Sequence, residues 1–70
     1  MNDIEFKEYL RKERLSYGIS QGRLAYLSGI TRQYLNELET GKSHASDSLK
    51  EKLFATLHLF SYDTPLFLLI

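Results

Sequence analysis

The 70 residues predict an all-α domain built from five short helices. Three observations carry that expectation. Apolar residues recur at helical spacing, most regularly as Leu49, Leu53, Leu57 and Phe60. No run of alternating apolar and polar residues bounded by turn signals occurs, so no sheet is expected. Three of the four Gly fall where helices should stop, as residues free to adopt positive φ do.

The first helix should run from about Asp3 to Tyr17, capped by Asn2 or Asp3 and stopped by Gly18. Phe6, Leu10 and Tyr17 share its inner side, with Ile4 or Tyr9 at the margin and Lys7, Glu8, Arg11 and Lys12 in solvent. Ser20 suits the cap of a second helix, Gln21 to Ser28, with Leu24 and Ala25 inward and Leu27 a further candidate. "SGI" at 28–30 is the turn. Thr31 then caps a third helix, Arg32 to Thr40, with Leu35 and Leu38 inward and Gly41 as its end. "KSHAS" reads as a polar loop, and Ser46 or Ser48 caps a fourth helix to about Phe60. Ser48 and Glu51 have capping-box spacing. Pro65, following "SYDT", suits the first turn of a fifth helix, Pro65 to Leu69.

Seventy residues make one domain, close to the smallest size at which a core holds a fold unaided. With no Cys, neither a disulfide nor a thiolate zinc site can staple it, and His44 and His58 are too few and too far apart for a metal cage. No metal and no cofactor is expected. Nine basic residues balance nine acidic ones, so no bulk positive charge advertises a polyanionic partner. Any such partner must be met by charge placed on one face. The start, Met1 to Glu8, has no apolar core of a signal peptide, and the longest apolar run, Leu66 to Ile70, is far short of a membrane span. A cytoplasmic location and no membrane partner are expected.

The stretch "GITRQYLNELETGK" raises the functional question. Two short helices joined by a Gly turn form a helix-turn-helix, whose second helix enters the DNA major groove and reads base edges from its N-terminal residues. Arg32 and Gln33 lie in the first turn of the third helix, with Asn36 and Glu37 one turn later on the outward side. Arg can take two guanine acceptors, and Gln or Asn the acceptor–donor pair of adenine. Ser20, Gln21 and Thr31 sit at helix N-termini, where free N–H groups suit phosphates. Tyr34 can donate its hydroxyl to a phosphate, and Glu37 can accept from a cytosine amino group or repel. Arg23 stands open between backbone contact and a solvated surface charge.

At these residues the chain resembles the phage repressor and Cro family, over about Leu10 to Phe60. The matching string is "ISQGRLAYLSGITRQYLNELETGK", with Ser20-Gln21 opening the first helix of the unit. Ala25 stands where the helices cross, Gly29 in the turn, and Glu39-Thr40-Gly41-Lys42 at the end of the reading helix. The resemblance implies a repressor-like fold with the helix-turn-helix at helices 2 and 3. It implies that Gln21 binds a phosphate, that Arg32, Gln33 and Glu37 meet bases, and that Thr40, Gly41 and Lys42 meet the DNA backbone. Asn36 lies one place from the family's second-turn base reader. Some of these repressors bury an Arg of the first helix against the Glu ending the third, here Arg14 and Glu39. Arg14 also falls on the buried side by spacing from Leu10 and Tyr17, and so needs a partner. Two departures stand out: "SHAS" replaces the Pro usual after the reading helix, and Tyr34 and Glu37 are bulky or acidic for a DNA-facing surface.

A closer resemblance is to the N-terminal domain of MobT-family conjugative relaxases, relatives of rolling-circle initiators. It rests on "YLRKERLSYGISQGRLAYLSGITRQYLNELETGK" followed by "DTPL". It implies a domain that targets a DNA-nicking enzyme to double-stranded DNA near the transfer origin of an integrative element. The chain would then be the N-terminal part of a longer protein, with a C-terminal catalytic domain and a monomer expected rather than a dimer. The alternative is a stand-alone repressor that binds a palindromic operator as a dimer. A protein-interaction module would fit the zero net charge but leaves the caps and turn unexplained. Catalysis within these residues is not expected, because Tyr9, Tyr17, Tyr26, Tyr34 and Tyr62 lack a metal-binding or basic constellation. Lys7, Arg11, Lys12, Lys50 and Lys52 read as surface charges, and His44 and His58 as a loop and a helix-edge residue. The apolar "TPLFLLI" should pack on the core, on a second copy, or on a following domain.

Overall fold

A computed structural model describes the backbone of residues 2–69 and the side chains of residues 2–59. Four α-helices follow one another: α1 (Asp3–Ser16), α2 (Gln21–Ser28), α3 (Arg32–Thr40) and α4 (Asp47–Leu69). The described residues contain no strand. α2 packs against α3 and α4, and α1 against the same two, so α3 is held between α1 and α2.

Each start is set by a side chain. Asn2 accepts from the Glu5 N–H at 2.8 Å and its amide donates to Glu5 Oε1 at 2.8 Å, a reciprocal cap. Ser20 accepts from Arg23 N, Thr31 from Tyr34 N, and Ser46 from Leu49 N at 3.2 Å. Ser46, not Ser48, is therefore the α4 cap. α1 stops one residue earlier than its pattern suggested: Tyr17 is the C-cap, and Gly18, at φ +68°, turns the chain.

The fifth helix is not separate. α4 continues through "SYDT" and Pro65 to Leu69 as one element of 23 residues. The expected break had no Gly in it to take positive φ, and Ser, Tyr, Asp and Thr only weakly oppose a helix already under way. Pro65 removes one intrahelical hydrogen bond without a stop residue beside it. How Phe60 and "TPLFLLI" pack lies outside the described side chains.

The core is Phe6, Leu10, Ile19, Leu24, Ala25, Leu35, Leu38, Leu53 and Leu57, all buried. Phe54 closes one edge, meeting the Phe6 ring at 5.4 Å and the Tyr9 ring edge-on at 5.2 Å. Three expectations change. Ile4 is 66% exposed and Leu27 45% exposed, so neither joins the core. Lys7 is not simply solvated: its stem lies against Gly41, where a Cβ would come within 3.3 Å of Lys7 Cδ. Burying a methylene stem while the ammonium stays wet is ordinary for Lys.

Ser28 is fully buried at the end of α2, and among the described residues its Oγ has no hydrogen-bond partner. An orphaned hydroxyl costs free energy that an alanine would not. Ser28→Ala should stabilise the fold by about 1 kcal/mol, raising the melting temperature by roughly 4–8 °C for a chain this size. Thermal unfolding followed by circular dichroism tests this; a drop would mean that the hydroxyl is satisfied in solution.

The three-way junction of α1, the 42–46 loop and α4 is electrostatic. Asp3 Oδ1 lies 3.3 Å from Lys50 Nζ, and Asp3 Oδ2 lies 2.9 Å from His44 Nδ1. Lys50 Nζ also sits 5.2 Å from the Phe6 ring centre. Lys50 and His44, read as surface charge and loop residue, are thus tied to the first turn of α1. The Lys50 hydrogen bond, aided by the charge of His44, holds the Asp3 carboxyl below its ordinary 3.8. A lowered folded-state pKa stabilises above the unfolded value, and that contribution is lost as pH falls through the folded one. Urea midpoints measured downward from neutral pH should therefore fall less for Asp3→Asn than for the parent below about pH 4. Equal acid sensitivity would remove Asp3 from the account.

Candidate nucleic-acid interface

The site is built on α3, and the α2–α3 turn aims it. Gly29 takes φ +75° as the C-cap of α2, which an L-residue with a Cβ resists. The Ile30 N–H then reaches back to the Ala25 carbonyl at 3.0 Å, closing a Schellman turn. Thr31 caps α3 at once. No residue is spare between the two helices.

α3 divides its nine residues between two jobs. Leu35, Leu38 and Glu39 are buried. Arg32, Gln33, Asn36 and Thr40 are exposed, with 32, 36 and 40 in line at four-residue spacing and 33 beside them. The outward set expected from the sequence is therefore brought together, with one exception. Glu37 is half-buried and turned toward the following loop, where Oε1 accepts from Ser43 Oγ at 2.7 Å. Tyr34 is likewise half-buried, and its hydroxyl donates to the His44 carbonyl at 3.2 Å. Both residues brace the α3–α4 loop.

Behind the exposed ridge lies the pair expected from Arg14 and Glu39. Arg14 Nε donates to Glu39 Oε2 at 2.7 Å and Nη2 to Oε1 at 3.0 Å, a two-pronged contact. Nη1 donates to the Ile19 carbonyl at 2.8 Å, so the guanidinium ties α1 to both the α1–α2 turn and α3. Gln21, the first residue of α2, uses Nε2 toward Glu39 Oε1 at 3.1 Å and Asn36 Oδ1 at 3.2 Å.

The N-termini of α2 and α3 meet over a shallow polar hollow lined by Gln21, Arg32, Gln33 and Asn36. A second hollow beside it is lined by Arg11, Arg14, Gln21, Asn36, Glu39 and Thr40. The Arg32 stem lies beside Gly22, where an added Cβ would meet Arg32 Cδ at an ordinary 3.7 Å. Ser20 Oγ and Thr31 Oγ1 each accept a cap bond, which leaves each hydroxyl proton available to an anion. Thr40 Oγ1 donates back to the Asn36 carbonyl at 2.9 Å. Arg23 and Lys42 are exposed on the elements flanking these hollows. Arg11 is exposed, as expected, and stands on the rim of the second hollow beside Gln21, Asn36 and Thr40.

A profile of the helix-turn-helix family matches residues 10–59. That is more than half of the chain, which therefore belongs to this family of DNA-binding, non-catalytic domains, in its Cro and phage-repressor form. Neither the curated proteins nor the solved structures contain a match. Among the described residues no helix is long and apolar enough to cross a membrane.

Proposed function

We propose that the chain recognises a double-stranded DNA site through the major groove, with Arg32, Gln33 and Asn36 toward base edges. Ser20, Gln21, Arg23, Thr31, Thr40 and Lys42 would hold the sugar–phosphate backbone, with Tyr34 and Glu37 shaping the adjoining loop. The observation that carries this reading is the exposed ridge on a helix whose adjoining flank is clamped by a buried ion pair. A reading helix must be rigidly backed, since affinity for the right base depends on placing a fork of donors accurately. Zero net charge makes the electrostatic part local rather than global.

Within that reading, the chain serves as the N-terminal targeting domain of a longer protein resembling a MobT-type relaxase. It brings a C-terminal catalytic domain to duplex DNA near a transfer origin. What supports this is the likeness of residues 9–42 together with the later "DTPL" segment. A monomer on one asymmetric site is expected, its modest affinity raised by tethering. Sedimentation with and without DNA separates this from an operator-binding dimer, which would need half-sites about one helical turn apart.

Fluorescence titration at several salt concentrations should give a log–log slope corresponding to roughly three to six phosphate contacts, about 0.9 per contact. Arg32→Ala should cost about 1–3 kcal/mol on the preferred site and blur the preference there. Equal weakening on every duplex would demote Arg32 to a phosphate contact. A flat salt response would discard the electrostatic interface.

A further inference from the structure

The hydrogen bonds around Glu39 have a direction, and it runs from the core to the surface. Arg14 can only donate, so the Glu39 carboxylate, 2% exposed and held at 2.7 and 3.0 Å, is an acceptor. A carboxylate acceptor compels Gln21 to face it with its NH2 group, at 3.1 Å, rather than its oxygen. The second proton of that same nitrogen meets Asn36 at 3.2 Å, which must therefore turn its oxygen inward. Amide orientation is usually ambiguous because oxygen and nitrogen look alike. Here the charge two bonds away removes the ambiguity.

We propose that the buried Arg14–Glu39 pair, acting through Gln21 as a positioning residue, fixes Asn36 as a hydrogen-bond donor toward DNA. Asn36 Oδ1 is engaged inward, so Nδ2 is the group left for the ligand. The ligand chemistry is then a single acceptor: guanine O6 or N7, adenine N7, thymine O4, or a phosphate oxygen. The paired acceptor and donor of adenine, which an unconstrained Asn takes with both ends of its amide, is refused, and so is the cytosine amino group. Gln21 has both of its side-chain amide protons committed, so its contact to phosphate is left to its backbone N–H in the first turn of α2, beside the Ser20 hydroxyl.

The inference rests on the DNA-reading function proposed above, and two measurements keep the two separable. The first needs no DNA. In side-chain amide 1H–15N spectra of the free chain, the Gln21 NH2 resonances should move on Asn36→Asp, which retains the inward acceptor but charges it. Unmoved resonances would overturn the relay. The second is selection from a randomised duplex pool with the parent, Gln21→Leu and Asn36→Asp. Asn36→Asp puts an acceptor where the donor stood and should weaken binding at least tenfold. Gln21→Leu releases the amide and should admit cytosine, the one base with a donor and no acceptor in the major groove, at the position facing Asn36. A preference for guanine, thymine or adenine over cytosine in the parent marks a base acceptor; an Asn36→Asp loss equal on all sequences marks a phosphate. Cytosine selected by the parent at that position, or a Gln21→Leu profile identical to the parent's, would overturn the proposal. A parent that binds no duplex would sink the DNA reading, while the amide spectrum would still judge the relay.

Discussion

Arg14→Ala is expected to lower folding stability by about 3–5 kcal/mol, because it strands the Glu39 carboxylate in a dry site. Glu39 is only 6% exposed, so little water reaches its carboxylate. A domain of 70 residues holds roughly 4–10 kcal/mol in all, so much of the variant should be unfolded at ordinary temperature. One further group loses its partner: the Ile19 carbonyl, bonded by Nη1, which anchors the α1–α2 turn. The charge argument has a built-in control. Arg14→Met combined with Glu39→Leu removes both charges and should recover a large part of the loss, since a paired buried charge is worth little over apolar packing. Recovery should be incomplete, as Ile19 O and Gln21 Nε2 still lack their partners. Urea unfolding of the two singles and the double gives the answer. A single-variant cost below 1 kcal/mol would mean that α3 is positioned by packing alone.

The second large effect is expected at Leu35. It is fully buried in the middle of α3, facing the core formed with Leu10, Leu24 and Leu53. Leu35→Ala should cost about 2–5 kcal/mol from lost transfer free energy and the cavity left behind. Its neighbours along α3, Arg32, Gln33 and Asn36, keep their exposed positions as long as the helix forms. Measured cold, with the variant folded, DNA affinity should fall less than tenfold while the urea midpoint falls sharply. Loss of affinity without loss of stability would contradict the division of α3 into a backing side and a presenting side.

α2 and α3 were legible to the residue, because each has a hydroxyl cap at one end and a Gly at the other. Ser20 and Gly29 bound the first, Thr31 and Gly41 the second. These signals are local, so tertiary context has little room to override them. The far end of α4 was not legible, since Ser, Tyr, Asp and Thr form a break only when a positive-φ residue finishes it. The pairing of Arg14 with Glu39 was expected from the likeness to phage repressors and is found; spacing alone said only that a buried guanidinium needs some partner. Contacts among half-exposed polar residues were beyond sequence reasoning. Nothing in the spacing of Glu37 and Ser43, Tyr34 and His44, or Asp3 and Lys50 says that they meet; the loop path decides it. Ser28 was read as the last residue of a helix, and only the packing of α2 on its neighbours shows its hydroxyl sealed inside.

The link between α2 and α3 leaves no slack. Gly29 supplies the left-handed bend, Ile30 closes the turn and packs on the core, and Thr31 starts the next helix. Lengthening it by one residue would break at least one of those duties. Related chains that address other targets should therefore keep this elbow constant and vary their wording only in the outward letters of α3.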